Sequence, residues 1–241
     1  MIENIFKDLL NYFSLGKGKN FSQDNQDLFV LYFTHYTGKK GFYVEIGAGD
    51  GVRLSNTYLL EKAGWQGIIV DPVNYSSENI KLRKCIKDNR AVYSKSGLKL
   101  PFLMVEPITG SIGQAENLSG ILKHIADHSK TLRNKIMDVE TVSLNDLLEQ
   151  HNAPNKIDYV SIDTEGSDFK IISNFDFNKY EVEIFTIEHN GASFRKDVIK
   201  LLNDMGYFRL PNHIQGGFVP NYEDWFIKNN NPILKKFLNK F

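Results

Sequence analysis

Three apolar runs in this 241-residue chain stop at ionisable side chains. Trp65-Gln66-Gly67-Ile68-Ile69-Val70 ends at Asp71, Lys156-Ile157-Asp158-Tyr159-Val160-Ser161-Ile162 at Asp163, with Glu165 and Asp168 just beyond, and Val182-Glu183-Ile184-Phe185-Thr186-Ile187 at Glu188-His189. A fourth run, Gly41-Phe42-Tyr43-Val44-Glu45-Ile46, enters the turn Gly47-Ala48-Gly49-Asp50-Gly51. Carboxylates and an imidazole at strand ends can take a proton, bind a hydroxyl or ligate a cation. A glycine turn lets a ligand approach the backbone closely. Asp163 and Glu165, two residues apart, aim to one side of an extended backbone. Glu188 and His189 point oppositely, so one of them faces the site.

The glycine turn leads into Ser55-Asn56-Thr57, polar capping candidates before Tyr58-Leu59-Leu60-Glu61, and then to the strand ending at Asp71. Strand, glycine turn, helix, strand, acid is the order of a nucleoside-binding unit. A dinucleotide fingerprint needs a third glycine where this chain has Val52, which makes NAD the weaker reading. Glu45 repels a diphosphate but suits an ammonium or ribose hydroxyls. S-adenosylmethionine offers both and carries no phosphate. The expected cofactor residues are Glu45, Gly47, Gly49, Asp50, Ser55, Asn56, Asp71, Ala91 and Asp163, with Asp71 accepting from the ribose diol.

The surrounding pattern must position these groups. Residues 2–13 place Ile2, Ile5, Phe6, Leu9, Leu10 and Phe13 on one helical face, and a linker runs to Asn20. A polar helix entry, Ser22 to Asp27, precedes Leu28 to Phe33. Asn74 to Cys85 reads as a helix and Ala91 to Ser94 as a third strand. From Leu98 to Asp138 the rhythm breaks, and this stretch is expected to be an inserted lid. Thr141 to Gln150 reads as helix, as does Phe194 to Asp204, closed by Gly206; Tyr207 to Leu210 and Asp224 to Ile227 read as strands. Alternating strands and helices imply a parallel sheet, and its ligands bind beyond the carboxyl ends.

Composition sets bounds. With 41% hydrophobic residues the chain can bury one large core, and 29 basic against 29 acidic residues give no broad electrostatic footprint for nucleic acid. Cys85 is the single cysteine, so a reducing, cytoplasmic setting is expected. No apolar run has membrane-spanning length, and Glu3, Lys7 and Asp8 interrupt any signal-peptide core.

Val44-Glu45-Ile46-Gly47-Ala48-Gly49-Asp50-Gly51, Ser55-Asn56-Thr57, Leu60-Glu61, Gly64-Trp65-Gln66-Gly67, Ile162-Asp163-Thr164-Glu165-Gly166, Ile187-Glu188-His189-Asn190 and Gly206-Tyr207 together resemble the FkbM-type S-adenosylmethionine-dependent methyltransferases. The resemblance covers residues 22 to 227. It implies a class I methyltransferase fold, α/β and Rossmann-like, with a seven-stranded, mostly parallel sheet, the last strand inserted antiparallel, and helices on both faces. The domain then runs over 21–241, with the insertion at about 98–138. The implied activity is O-methylation of a hydroxyl on a sugar, a nucleotide-linked sugar or a glycan precursor. Asp71 stands where many members have glutamate, and Thr164 where an aliphatic residue is common. Gln23 and Gln26 would approach the methionine end of the cofactor.

A sugar hydroxyl is a weak nucleophile and needs a base or a metal ion. Asp163, Glu165 and His189 are the expected catalytic groups, and the same three the expected ligands of a divalent Mg²⁺ or Mn²⁺, with Asp168 and Glu188 as further candidates. Helix capping is the plainer role for Glu165 and Asp168. Lys123, His124, His128, Lys130, Arg133 and Lys135 form a basic cluster in the insertion, suited to the phosphates of a sugar nucleotide or to a solvated helical face. Trp65 and Trp225 are expected in the core, and His35, His151 and His213 without a role. The expected partner is a sugar or sugar-nucleotide acceptor, with no nucleic acid and no membrane insertion; the apolar faces of the terminal helices suit a homodimer. A nicotinamide-dependent sugar oxidoreductase and a non-catalytic nucleoside-binding module are the competing readings.

Overall fold

A computed structural model describes residues 20–73, 78–105, 119–124, 134–211 and 222–238. The first half contains α1 (Gln26–Thr34), β1 (Phe42–Ile46), α2 (Tyr58–Lys62), β2 (Gln66–Val70), α3 (Glu78–Lys81), β3 (Ile86–Asp88), β4 (Ala91–Tyr93), β5 (Lys99–Val105) and β6 (Gly120–Ile121). The second contains β7 (Asn134–Ser143), α4 (Leu144–Gln150), β8 (Lys156–Ile162), α5 (Asp168–Ile172), β9 (Glu181–Glu188), α6 (Arg195–Asp204), β10 (Tyr207–Arg209), β11 (Glu223–Lys228) and α7 (Pro232–Leu238). The helix expected over 2–13 lies outside the described residues. No described helix is long and apolar enough to cross a membrane.

Seven strands form a mixed sheet in the order β10-β11-β9-β8-β1-β2-β3. The strands from β9 to β3 pair in parallel, while β11 is antiparallel to both β9 and β10. Successive residues on these strands serve opposite faces. Tyr43, Ile69, Tyr159, Ile184 and Trp225 pack with Phe29 and Phe33 of α1, Leu60 of α2 and Leu234 of α7. Val44, Ile46, Ile68, Val70, Val160, Ile162 and Phe185 pack with Leu147 of α4, Ile171 of α5 and Leu202 of α6. Both faces are therefore covered by helices, which is why the central strands read as unbroken apolar runs. Each such side chain contributes about 1.5–3 kcal/mol by leaving water. Trp65 and Trp225 are core residues, 7% and 0% exposed.

Of the stretch between Leu98 and Asp138, expected to be an irregular insertion, the described residues 98–105, 119–124 and 134–138 include strands. β4, β7, β5 and β6 form a second sheet, in which β5 and β7 pair antiparallel from Lys99↔Glu140 to Val105↔Asn134. Its outer residues, such as Lys135, Asp138 and Glu140, are exposed, so the stretch looked polar in the sequence. Ala91-Val92-Tyr93 joins this sheet through β7 and is not the third strand of the main one. That edge is Ile86-Lys87-Asp88, where a helix running to Cys85 was expected to have just ended. The helix expected from Thr141 begins only at Leu144, because Thr141 to Ser143 complete β7. The Ser143 hydroxyl then caps α4 by accepting from the Asp146 N–H at 3.1 Å.

Candidate active site

At the carboxyl ends of β1, β2 and β8 lies a cavity lined from the main sheet by Ile46, Gly47, Val70, Asp71 and Asp163, with Thr164 and Ser167 beyond. The second sheet closes it with Arg90 to Val92, Phe102, Ser119 and Ile121. Gly47 has φ +86°, and a Cβ there would sit 1.7 Å from the Asp163 carbonyl oxygen. Only glycine lets the first turn pass so close to the end of β8. Asp71, almost fully buried, accepts from the N–H of Gly49 and of Val73, each at 2.8 Å. Burial pushes its carboxyl up to about 7 against the pull of those two donors.

Of the expected cofactor residues, Gly47, Asp71, Ala91 and Asp163 line this cavity; Glu45, Gly49, Asp50, Ser55 and Asn56 do not. Gly49 meets it only through its bond to Asp71. Glu45 points to the opposite face of β1 from Ile46, where its carboxylate accepts from the Asn56 N–H at 2.6 Å, the Ser55 hydroxyl at 2.9 Å and the Thr57 hydroxyl at 2.6 Å. Arg83, 2% exposed, completes this buried brace. Its Nη1 is 3.6 Å from Glu45 and 2.5 Å from the Gly51 carbonyl, and its Nε is 3.0 Å from Glu61. Asp50 is likewise structural, accepting from the N–H groups of Val52 and Arg53 and from the Asn79 amide. These residues hold the glycine turn from beneath. Nothing in the sequence singled out Arg83.

Beside the cavity, Asp163, Glu165 and Glu188 each place a carboxylate oxygen within 4.8 Å of the others. The Asp163 and Glu188 carboxyls lie in hydrogen-bonding contact. Burial raises all three carboxyls, that of Glu165 to about 8 with help from Asp163 and Asp168. Asp168 is held up to about 7 by burial and by Asp163, yet it is a turn-holding group: it accepts from the Thr164 N–H and hydroxyl and from the Gly166 N–H, each at 3.0 Å. Glu223, raised by burial to about 8, accepts from the Gln26 amide at 2.9 Å and the Trp225 indole at 2.5 Å. Gln26 is thus engaged with Glu223, and Gln23 with the Tyr222 hydroxyl.

His189 does not join the cluster. Its Nδ1 accepts from the Gly191 N–H at 3.0 Å, and its Nε2 faces Asp224, 3.6 Å away, which also pairs with Arg195 and Arg209. Strand alternation turns His189 away and brings Glu188 in. The register of β8 on β9 puts Ile162 beside Ile187, so the next residues, Asp163 and Glu188, are neighbours on one face. Of the expected basic cluster, Lys123 and Lys135 are exposed and the His124 ring lies 2.9 Å from the Tyr93 hydroxyl. His128, Lys130 and Arg133 lie outside the described residues. His151 pairs with Asp88 at 2.9 Å.

The arrangement sets a buried carboxylate and apolar walls in a cavity, with further carboxyls beside it. No curated protein matches the chain. The family model described as the methyltransferase FkbM domain matches residues 45–208, from within β1 to within β10. That span is more than half of the chain, which therefore belongs to the FkbM methyltransferase family, a membership that implies S-adenosylmethionine as methyl donor.

Proposed function

We propose that this methyltransferase transfers the methyl group to a hydroxyl of a sugar, on a nucleotide-linked sugar or a surface-glycan precursor. The observation that carries the reading is the carboxylate group Asp163, Glu165 and Glu188, of which Asp163 lines the cavity. S-adenosylmethionine supplies an electrophilic methyl on a sulfonium. The donor set fits it: the Asp71 carboxylate would take the ribose hydroxyls, and Ala91, Val92, Phe102 and Ile121 offer apolar walls to the adenine. Gly47 leaves the backbone open at the centre.

A hydroxyl must lose its proton as it attacks, and a carboxylate positioned beside it is suited to accept one. An oxygen of the Asp163–Glu188 pair would take that proton, with Glu165 beside them. The second sheet, through Phe102 and Ile121, would exclude water from the reacting atoms. The test is incubation with S-adenosylmethionine and a panel of sugar nucleotides and oligosaccharides, read by mass spectrometry. The reading requires gain of one methyl on a hydroxyl, lost in Asp163→Asn. Methylation only of amine or carboxylate acceptors would overturn it.

A further inference from the structure

We propose that Asp163, Glu165 and Glu188 form a binding site for one divalent cation, Mg²⁺ or Mn²⁺, at the carboxyl edge of β8 and β9. The proposal relies on the methyl-transfer reading for the role of the ion, and not for its binding.

Geometry comes first. Three carboxylate oxygens from two adjacent strand ends lie within 4.8 Å of one another. Two oxygens on one ion sit at most about 4.2 Å apart for Mg²⁺ and about 5 Å for the larger Ca²⁺, so the cluster is within a small side-chain adjustment of ligand spacing. The second observation is independent. Glu188 is 9% exposed, and its Oε2 is shielded from solvent and has no hydrogen-bond partner among the described residues. A carboxylate oxygen buried without a partner is costly, and an occupant of the cluster removes that cost.

The neighbouring acids show the contrast. Glu45, Asp71, Asp168 and Glu223 all accept from N–H or O–H donors that tie down turns or core. Asp163, Glu165 and Glu188 have one amide donor, Asn190 to Glu165 at 3.2 Å, and among the described residues no Lys or Arg acts on them. Oxygen ligands gathered without a basic partner are what a cation site requires. The donors are all oxygen, which selects a hard ion of the Mg²⁺ or Mn²⁺ type over zinc. His189, the expected third ligand, has its nitrogens turned to Gly191 and Asp224, and Glu188 replaces it. Asp163 also lines the cavity, so a bound ion would orient an acceptor hydroxyl beside the methyl donor and make it more acidic.

The experiment titrates MnCl₂ into the full chain without S-adenosylmethionine or acceptor, following free Mn²⁺ by electron paramagnetic resonance. One saturable site is expected, weakened about tenfold or more in Glu188→Gln and in Asp163→Asn and changed less than about twofold in His189→Gln. Circular dichroism confirms that each variant is folded; should Glu188→Gln unfold, Glu165→Gln is read in its place. Absence of a saturable site overturns the proposal, as does affinity kept in both carboxylate variants or lost only in His189→Gln. Calorimetric titration of S-adenosylmethionine in EDTA separates the two readings. Methyl-donor binding without Mn²⁺ binding removes the cation alone, whereas Mn²⁺ binding without methyl-donor binding removes the methyl-transfer reading alone.

Discussion

Replacing Arg83 with methionine keeps the length of the side chain and removes its charge from beneath the glycine turn. In the native chain its guanidinium lies 3.0 Å from Glu61, 3.6 Å from Glu45, 2.5 Å from the Gly51 carbonyl and 3.0 Å from the Tyr43 hydroxyl. Burial pushes the Glu45 carboxyl up, while Arg83 and the donors Ser55, Asn56 and Thr57 hold it down. Removing one partner of a buried ion pair costs about 3–5 kcal/mol, since the other charge stays buried. At about 2–4 °C per kcal/mol for a domain of this size, the melting temperature falls by roughly 6–20 °C. Urea unfolding with fitted midpoint and slope is the assay. The double variant Glu45→Gln, Arg83→Met should recover at least about 1 kcal/mol over Arg83→Met alone, because the uncompensated charge is gone. A loss below about 1 kcal/mol for Arg83→Met, or no recovery in the double variant, would refute the view that this pair braces the turn.

Gly47→Ala drives a Cβ to 1.7 Å from the Asp163 carbonyl at φ +86°, so a loss of more than about 3 kcal/mol is expected in chemical unfolding, with methyl-donor binding impaired; wild-type stability would contradict the close approach of β1 and β8. Asp71 titrates at about 7 in the free protein, so affinity for S-adenosylmethionine should fall as pH drops below 7, by up to about tenfold per unit, and the slope should vanish in Asp71→Asn. The carboxyls of Asp71 and Asp168, raised to about 7, and of Glu223, raised to about 8, bind protons in the folded state that the unfolded chain releases near pH 4. Their contribution to stability is complete below about pH 4 and is lost as pH rises through 7 to 8. Glu61 and Asp88, lowered to about 2, lose theirs only as pH falls below about 4. Thermal melts of the free protein should therefore decline from pH 6 to 8.5; a rise across that range would contradict the assignment.

The strand ends carrying Gly47, Asp71 and Asp163 were legible because long apolar runs stop at them, and a sheet buried on both faces must write such runs. The direction of a side chain at a strand end was less so. Glu45 adjoins Ile46, which lines the cavity, and parity alone sends the two to opposite faces. The choice between Glu188 and His189 needed the pairing register of β8 on β9, which no local pattern contains. The second sheet was hidden for a related reason: Lys135, Asp138 and Glu140 of β7 are exposed and polar, and Pro101 within β5 argues against a strand. β3 has three residues, two of them exposed, too few to show a period. Arg83 is a lone charge whose partners come from β1, α2 and the turn between them, a convergence visible only in three dimensions.

The central claim is that the cavity walled by Gly47, Asp71, Phe102 and Ile121 holds the methyl donor beside Asp163. Calorimetric titration of S-adenosylmethionine into the wild-type protein and into Asp71→Ala at pH 8 tests it most directly. The account predicts saturable one-to-one binding to the wild type and at least about tenfold weaker binding to the variant. No saturable binding to the wild type, or equal affinity in a folded Asp71→Ala protein, would contradict it.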